Sequence, residues 1–417
     1  MEDIHTDIIQ NGITNDTYIK QKNLQNEWEE LCGREEEYWR QKSRELWLQQ
    51  GDKNTKYFHA SAQQKRAAKT IFNIKDSVTG NVLTNSQHIR EEGVRFFKNL
   101  LAPAEFPAPS PSQVADLLEA IPKLVSPEDN NMLMKPISFQ ELQKVVFSFP
   151  PDKAPGPDGF TALFFQCSWD FIGFDLLAAV EESRKCKSML KYFNTTNIAI
   201  IPKLKEPKTF ADFRPISLCN LTYKIITKVI YSRLQYLLPK IISSEQGGFV
   251  PGRETMEGAM VAHEVLHSIS TNQSPSFVIK LDMMKAYDRV CWFFLLQVLQ
   301  KMGFSNQWCK WIRACISGAW FSVIVNGTAS GFFSSTQGIR QGDPLSLALF
   351  IIMAEAFSRT IRHYHLLGKW KGANITGTSI SITHSLFADD TLLFGISQVS
   401  EARQIKKILE LYSDVSG

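Results

Sequence analysis

Two adjacent acids interrupt an apolar stretch near the end of the sequence, Ser385-Leu386-Phe387-Ala388-Asp389-Asp390-Thr391-Leu392-Leu393-Phe394. Without the acids, this stretch would predict an apolar strand or hairpin. A buried ionised carboxylate without a partner costs several kcal/mol, and two neighbouring carboxylates also repel each other. No Arg or Lys lies between Lys371 and Arg403, so we expect a divalent ion, Mg²⁺ or Mn²⁺, to balance the charge. An exposed Asp-Asp hairpin turn is the alternative interpretation.

A third acid ends an apolar run further upstream, Phe277-Val278-Ile279-Lys280-Leu281-Asp282. We expect a buried strand that ends on Asp282, followed by a helix over residues 283–290, since a rigid strand end positions a metal ligand well. With Asp389 and Asp390, this acid could hold two metal ions roughly 3.5–4 Å apart, an arrangement that promotes in-line displacement at phosphorus. Such a site needs no protein nucleophile, and the sequence offers no clear Ser/His/Asp or Cys/His set.

A glycine-containing loop lies between the two acidic sites, Gln337-Gly338-Ile339-Arg340-Gln341-Gly342-Asp343-Pro344. Glycine lets a base or a sugar approach the backbone closely. We expect an apolar helix after the loop, capped near Asp343-Pro344, and the N-terminus of such a helix can accept a phosphate.

The composition is that of a folded protein of two or three domains, with 417 residues of which 44% are hydrophobic and 21% charged. No apolar run approaches the roughly 18 residues of a membrane helix, so we expect a soluble intracellular protein without a membrane partner. The seven cysteines are scattered and include no Cys-x-x-Cys pair. They are therefore interpreted as small core residues rather than disulfide or zinc-binding residues.

The formal net charge of +4 hides a strong asymmetry along the chain. Residues 184–240 include twelve basic and two acidic side chains, an excess of ten positive charges, so the rest of the chain carries −6. This layout is expected where one part of a protein holds a polyphosphate and another holds cations. A solvated basic face is the alternative.

Helical spacing of leucines and aromatics over about residues 20–70 predicts a helical N-terminal region, broken at Gly51-Asp52. Four prolines within residues 102–112 predict a linker or an exposed loop. The remaining predicted elements are a helix near 137–148, a turn at 151–159, a strand at 197–201 and a long amphipathic helix near 221–239.

Seven ordered blocks resemble the successive motifs of reverse transcriptases from non-LTR (LINE-type) retrotransposons, in a plant-like form. The blocks are Lys153–Gly159, Ile201–Lys203, Phe213–Leu218, Gln246–Arg253, Leu281–Asp288, Arg340–Ser346 and Phe387–Asp390. Trp47-Leu48 and Gly51–His59 resemble the region ahead of the polymerase in such elements. One departure is Leu347, which stands where the family usually has Pro.

The resemblance implies an α+β fold in the form of a right-hand polymerase. A helical N-terminal extension and Pro-rich linker (1–119) would precede the fingers (120–275) and an incomplete palm with an antiparallel sheet (276–417). The thumb would be missing. We therefore expect a truncated copy with weak or no processive synthesis, located in the nucleus or cytoplasm by resemblance.

The implied reaction is nucleotidyl transfer from a dNTP to a primer 3′-OH on an RNA template. Asp282, Asp389 and Asp390 would be the palm carboxylates that hold two Mg²⁺ or Mn²⁺ ions, with Asp282 and Asp389 as the more direct ligands. The implied partners are an RNA template, a DNA primer and dNTPs.

The resemblance also implies five nucleotide-binding residues. Lys203 and Arg214 would contact the triphosphate, Tyr287 would block a ribose 2′-OH, and Gln341 and Gly342 would line the nascent base pair. Four of them also have a purely structural alternative. Lys203 could be a surface lysine and Arg214 a salt-bridged arginine. Tyr287 could be a core aromatic and Gln341 a capping side chain.

Two other functions stay open. A degenerate remnant could bind nucleic acid without catalysis. His263-Glu264-Val265-Leu266-His267 also matches the His-Glu-x-x-His pattern of zinc proteases, although no Gly-x-x-His follows to supply a third ligand.

Overall fold

The computed structural model describes Ile9 and residues 14–43, 55–104, 109–271, 275–375 and 378–417. The chain divides into two compact units, Met1–Phe72 and Asn73–Gly417. Within the described ranges, no helix combines the length and the apolar character that crossing a membrane requires.

Two helices make up most of the described part of the first unit, α1 (Asn15–Ser43) and α2 (Thr55–Ala68). Ion pairs between side chains one turn apart on the surface of α1, such as Arg34 with Glu30, stabilise this helix. The predicted helical N-terminal region is confirmed in these residues. The predicted break at Gly51-Asp52 and the motif residues 47–48 and 51–54 lie outside the described residues.

In its described residues, the second unit combines helices with four sheets, in agreement with the predicted mixture of helix and strand. Its helices are α3 (Ser86–Leu101), α4 (Pro111–Glu119), α5 (Pro127–Leu133), α6 (Phe139–Phe147), α7 (Ala162–Cys167), α8 (Trp169–Cys186), α9 (Leu221–Leu234), α10 (Leu238–Ile241), α11 (Thr255–Thr271), α12 (Trp292–Met302), α13 (Asn306–Ile316), α14 (Ser346–Leu366) and α15 (Val399–Ser416). Its strands are β1 (Ile74–Lys75), β2 (Val82–Leu83), β3 (Thr195–Pro202), β4 (Phe213–Cys219), β5 (Ser276–Asp282), β6 (Trp320–Val325), β7 (Thr328–Ser334), β8 (Ala373–Asn374), β9 (Ser381–Ile382), β10 (His384–Phe387) and β11 (Asp390–Ile396).

Serine side chains begin several of these helices. Ser110, Ser126, Ser138 and Ser305 each accept a hydrogen bond from a backbone N–H of the first turn. This bond satisfies a donor that the helix itself leaves unpaired. Short polar residues in the sequence therefore fix where the helices start.

A four-stranded sheet has the order β4-β3-β6-β7. Strand β3 pairs antiparallel with β4 and parallel with β6, and β6 pairs antiparallel with β7. The predicted strand at 197–201 lies within β3. Its partner β6 comes more than a hundred residues later in the chain.

A three-stranded antiparallel sheet has the order β10-β11-β5. The predicted hairpin is confirmed as β10 and β11, joined by a turn at Ala388 and Asp389. Strand β5 ends on Asp282 as predicted. It is not a buried strand, however, because it lies at the edge of the sheet and is only partly covered.

Helix α14 lies in the centre of the main core, with fourteen of its 21 residues buried. It confirms the predicted apolar helix, which begins at Ser346, directly after Leu345 at the N-cap position. Asp343 is not a helix cap, since its carboxylate is buried and accepts hydrogen bonds from Thr227 Oγ1 (2.5 Å) and Ser346 Oγ (3.3 Å).

Three further predictions need correction. The predicted helix over 221–239 ends at Leu234 and is buried around most of its circumference, while α10 forms a separate short helix. The predicted loop over 102–112 is too long, because Pro111 opens α4 at a position where proline's missing N–H costs nothing. Residues 284–289 form turns rather than a helix, with Lys285 in the left-handed region at φ 56°.

The cysteines were predicted to be small core residues, and this holds for only some of them. Four are buried, Cys32 is half-buried, and Cys167 and Cys186 are exposed near the ends of α7 and α8. All seven are free. The two exposed thiols correct the interpretation of the cysteines as core residues.

Candidate active site

The register of β5 and β11 brings two of the predicted acids together. Asp282 is the direct cross-strand partner of Asp390, so their side chains lie on the same face of the sheet. Residues opposite each other in this way have Cβ atoms about 4.5–5.5 Å apart. Both side chains are exposed, which leaves their oxygens accessible from solvent.

Asp389 occupies the turn that precedes Asp390. It is half-buried, and Ala388 before it is buried with φ at 54°, a conformation that non-glycine residues seldom adopt. Burial raises the pKa of Tyr287 to about 12, and the negative charge of Asp389 contributes to that rise. The structure therefore brings Asp389 close to Tyr287, which the sequence also singled out.

A lysine supplies a cation that the sequence argument did not find. Lys280 Nζ lies 3.3 Å from Asp390 Oδ1, and both side chains are more than half exposed. Lys280 belongs to the neighbouring strand β5 and lies far from residues 371–403 in sequence, so the residues around the two acids do not reveal it. The expectation that both acids are buried is also wrong for Asp390, since its face of the hairpin is open to solvent.

The donor set fits a hard divalent ion. Asp282, Asp389 and Asp390 offer only carboxylate oxygens, which Mg²⁺ and Mn²⁺ prefer. Among the described residues, however, no group of three His, Cys, Asp or Glu side chains is already arranged to hold a metal ion.

Tyr287 is held by aromatic packing. Its ring stacks on Phe350 of α14, with centroids 5.2 Å apart and planes 25° apart. Phe350 is fully buried, so a rigid core side chain fixes the position of the tyrosine. Tyr287 itself is half-buried.

The loop with Gln341 is tied to the turn that follows Asp282. Ile339 N donates to Tyr287 O (2.8 Å), and Gly338 N donates to Val290 O (2.9 Å). On its other side, Ser217 N of β4 donates to Gln341 O (2.8 Å). These bonds place Gln341 between β4 and the 284–289 turn.

Asp288 is a buried acid that the sequence argument did not single out. Gln341 Nε2 lies 3.3 Å from each of its carboxylate oxygens. Burial raises the pKa of Asp288 to about 6, although Lys285, Gln341 and Lys203 partly oppose this rise. Gln341 is therefore hydrogen-bonded to an acid, and Gly342 next to it is exposed.

Lys203 and Arg214 lie at the same end of the β3–β4 hairpin. Lys203 N donates to Asp212 O (2.8 Å), and Arg214 pairs in register with Ile201. Both basic side chains are exposed. Burial lowers the pKa of Lys285, and the negative charge of Asp288 opposes this fall. The positive charge of Lys203 lowers the same pKa further, which indicates that Lys203 lies near the 284–289 turn.

Two further polar residues were missed because their importance depends on contacts distant in sequence. The buried Arg340 guanidinium lies 4.0 Å from the ring centroid of Tyr223 and donates to Asn194 Oδ1. Gln246 is buried and accepts a hydrogen bond from Ala388 N (2.9 Å). Arg340 and Gln246 each lie in a block that resembles the family, but neither was given a role there.

The zinc-protease pattern lies on α11, and the predicted helical setting is confirmed. His263, Glu264 and His267 are exposed. In the part of the chain that the structure describes, no third ligand joins them. The pattern is therefore a solvent-exposed face of a helix.

Comparison with known proteins places these features in a family. A family model described as reverse transcriptase (RNA-dependent DNA polymerase) matches residues 201–416, more than half of the chain. This range holds the β3–β4 hairpin from Ile201 onward, the loop at Gln341 and the three acids.

Curated proteins from several organisms are also similar to the chain. The transposon TX1 uncharacterized 149 kDa protein of Xenopus laevis is 27% identical over 88% of the chain and 27% of its own length. The retrovirus-related Pol polyprotein from type-2 retrotransposable element R2DM of Drosophila melanogaster is 24% identical over 63% of the chain and 24% of its own length. An uncharacterized mitochondrial protein of Arabidopsis thaliana, AtMg01250, is 43% identical over 16% of the chain and 56% of its own length.

The chain thus spans about a quarter of the length of the two transposon-derived relatives. The match to the family model covers both the basic hairpin and the paired acids, and relatives from transposable elements extend the similarity upstream of it. The chain belongs to the reverse transcriptase (RNA-dependent DNA polymerase) family.

Proposed function

We propose that the chain is the RNA-directed DNA polymerase part of a non-LTR retrotransposon protein. It would transfer a nucleotide from a dNTP to the 3′-OH of a DNA primer paired with an RNA template. The observation that carries this proposal is the cross-strand pair Asp282 and Asp390, with Asp389 in the adjoining turn.

Asp282 and Asp389 would hold the divalent ions, and Asp390 would add negative charge at the edge of the site. Bound Mg²⁺ or Mn²⁺ supplies the charge that activates a hydroxyl and stabilises a departing pyrophosphate. The chain's own contribution is to fix its carboxylates on a strand end and a tight turn. Lys280 neutralises part of the charge on Asp390.

The remaining residues would bind and select the nucleotide. Lys203 and Arg214 are exposed cations at one hairpin end, suited to contact a triphosphate as a point charge and a forked donor. Tyr287, whose ring stacks on Phe350, would exclude a ribose 2′-OH. Gln341 and Gly342 would line the new base pair from the loop between β4 and the turn.

The subdomain proposal follows the two larger sheets. Residues 120–275 would form the fingers and 276–417 the palm, after an N-terminal extension over 1–119. Strands β6 and β7 come from the second of these ranges but complete the sheet of β3 and β4. The fingers and palm would therefore share a sheet rather than meet at a flexible joint.

Primer extension on an RNA template tests the proposal. The purified chain, with Mg²⁺ and all four dNTPs, is expected to add nucleotides complementary to the template, and sequencing of the product checks the complementarity. Asp389→Ala should abolish the reaction. Binding of the primer–template without any extension, at any concentration of Mg²⁺ or Mn²⁺, would instead identify a non-catalytic nucleic-acid-binding protein.

A further inference from the structure

A short segment, Ser243–Gly248, runs along the outer edge of β10. Leu386 N donates to Glu245 O (2.8 Å), and Gly247 N donates to Leu386 O (2.8 Å). Gln246 and Leu386 form a parallel bridge. The segment therefore acts as an additional edge on the hairpin that carries Asp389 and Asp390.

The side chain of Gln246 reaches beyond this edge to the turn itself. Its Oε1 accepts hydrogen bonds from Ala388 N (2.9 Å) and Gly248 N (3.1 Å). The side chain is only 1% exposed, so water does not compete for these bonds. One buried oxygen thus joins the segment to the residue immediately before Asp389.

The amide of Gln246 has only one orientation that satisfies both donors. The two backbone N–H groups need an acceptor, and only the carbonyl oxygen of the amide can supply one. Its Nε2 is buried and has no hydrogen-bond partner among the described residues. The polar contacts of this side chain therefore serve the turn and its own segment.

Ala388 needs such a contact because its backbone is held at φ 54°. A non-glycine residue avoids this region unless its surroundings stabilise it. The hydrogen bond to Gln246 supplies one such restraint, and the buried position of Ala388 supplies another.

Gly248 packs against the turn from the same side. A Cβ on Gly248 would lie 3.0 Å from Ala388 N and 3.3 Å from Phe387 Cδ2, closer than ordinary contact. Any side chain at 248 would push on the turn. The segment and the turn therefore fit together without spare room.

We propose that Gln246 is a positioning residue for nucleotidyl transfer. By fixing the Ala388 amide, it holds in place the turn that carries Asp389, next to the end of the Asp282 strand. The expected effect on the rate rests on the proposed function. The restraint that Gln246 places on the turn does not depend on catalytic activity. A carboxylate misplaced by about 1 Å can lower a rate roughly a hundredfold.

Amide hydrogen exchange in the full chain tests the restraint directly. Gln246→Met keeps the length of the side chain and removes the acceptor, so exchange at Ala388 should become roughly tenfold faster, as expected for loss of one buried hydrogen bond. Gln246→Glu keeps an acceptor. Burial holds the new carboxyl in its protonated, uncharged form, whose carbonyl oxygen can accept the same two hydrogen bonds. Its exchange at Ala388 should stay close to wild type. Unchanged exchange in Gln246→Met would overturn the inference.

Single-nucleotide incorporation tests the consequence. Gln246→Met should lower kcat about 10- to 100-fold while the KM for dNTP changes little, and Gln246→Glu should recover most of the rate. Gly248→Ala should lower kcat by pressing on the turn. The matched control is Gly258→Ala on α11, where an added Cβ meets nothing within 4 Å.

The possible failures are distinguishable. If the wild-type chain incorporates no nucleotide, the proposed function fails, while the exchange result at Ala388 still decides the restraint. If Gln246→Met and Gln246→Glu lose melting temperature and rate to the same extent, Gln246 has only a structural role and the inference is wrong. Circular dichroism melting of each variant supplies that comparison.

Discussion

The three acids have different surroundings at the scale of single residues. Asp282 and Asp390 are exposed on one face of the three-stranded sheet, whereas Asp389 is half-buried in the turn beside Tyr287. Lys280 lies against Asp390. We infer that Asp390 is partly neutralised by protein, while Asp282 and Asp389 depend on bound cations for neutralisation.

Lys280→Met should increase the affinity of the site for Mg²⁺. The ammonium group repels an approaching cation and competes for Asp390, so its removal should lower the Mg²⁺ concentration for half-maximal incorporation about two- to fivefold. Lys406→Met is the control, since Lys406 forms an exposed ion pair with Glu410 on α15. A half-maximal concentration that rises or stays constant in Lys280→Met would contradict this account.

Asp288→Asn should stabilise the fold at neutral pH more than at low pH. The folded pKa of about 6 lies above the ordinary value of 3.8, so this carboxyl contributes stability below pH 4 that is lost as the pH rises to 6. A shift of this size corresponds to roughly 3 kcal/mol at neutral pH.

Urea unfolding of wild type and Asp288→Asn at pH 5 and pH 8 measures this effect. The gain in unfolding free energy should be larger at pH 8, since only there does the wild type hold a full buried charge. Equal gains at the two pH values would show that Asp288 is not destabilised by burial. Asp170→Asn, at an exposed acid of α8, is the control for removing a carboxylate from the surface.

At the scale of elements, α3 packs across β6 and β7 through a close contact at Gly331. The φ angle of Gly331 is +72°, and a Cβ added to this glycine would lie 2.5 Å from Cγ1 of Val94, a residue of α3. Gly80 has a similar φ of +74° but meets nothing within 4 Å. Comparing substitutions at the two glycines therefore distinguishes the cost of backbone strain from the cost of steric overlap.

Gly331→Ala should destabilise the chain more than Gly80→Ala does. Each substitution introduces the strain of a positive φ, about 1 kcal/mol, and only Gly331→Ala adds overpacking of a further 1–3 kcal/mol or so. Urea unfolding of both variants measures the difference. Equal losses would mean that α3 can move away from β7 at no cost.

The apolar and polar pattern within short stretches of sequence predicted the strands and helices that carry or flank the three acids. The hairpin around Asp389-Asp390, the strand ending on Asp282 and the helix after the Gln341 loop were all predicted and are confirmed in kind. The ends of elements were less accurate: the turn after Asp282 was taken for a helix, because residues 283–290 have helical composition but Lys285 adopts a positive φ.

Contacts between distant segments were not predictable from pattern alone. The pairing of β3 with β6, the ion pair of Lys280 with Asp390 and the bond from Ala388 to Gln246 all join residues that periodicity treats separately. Family resemblance had marked both Gln246 and Ala388, but only the fold reveals that they touch. The assignment of roles to Lys203, Arg214, Tyr287, Gln341 and Gly342 stays a prediction.

At the scale of the whole molecule, the net charge of +4 is the sum of a basic segment and a more acidic remainder. The basic segment 184–240 includes the β3–β4 hairpin, where Lys203 and Arg214 face solvent. The acids of β5 and of the β10–β11 turn belong to the remainder. A polyphosphate and its counter-cations would therefore meet between a positively charged hairpin and a negatively charged strand end.

The Mg²⁺ dependence of one-nucleotide addition to a DNA primer on an RNA template tests the central claim most directly. Wild type is compared with Asp282→Asn and Asp389→Asn, and with Asp170→Asn as the exposed-acid control. We predict that addition requires Mg²⁺ and that each of the first two variants lowers the rate on the order of a thousandfold or more, while the control keeps the wild-type rate. Rates within about threefold of wild type for Asp282→Asn or Asp389→Asn would contradict the assignment of these carboxylates to the reaction.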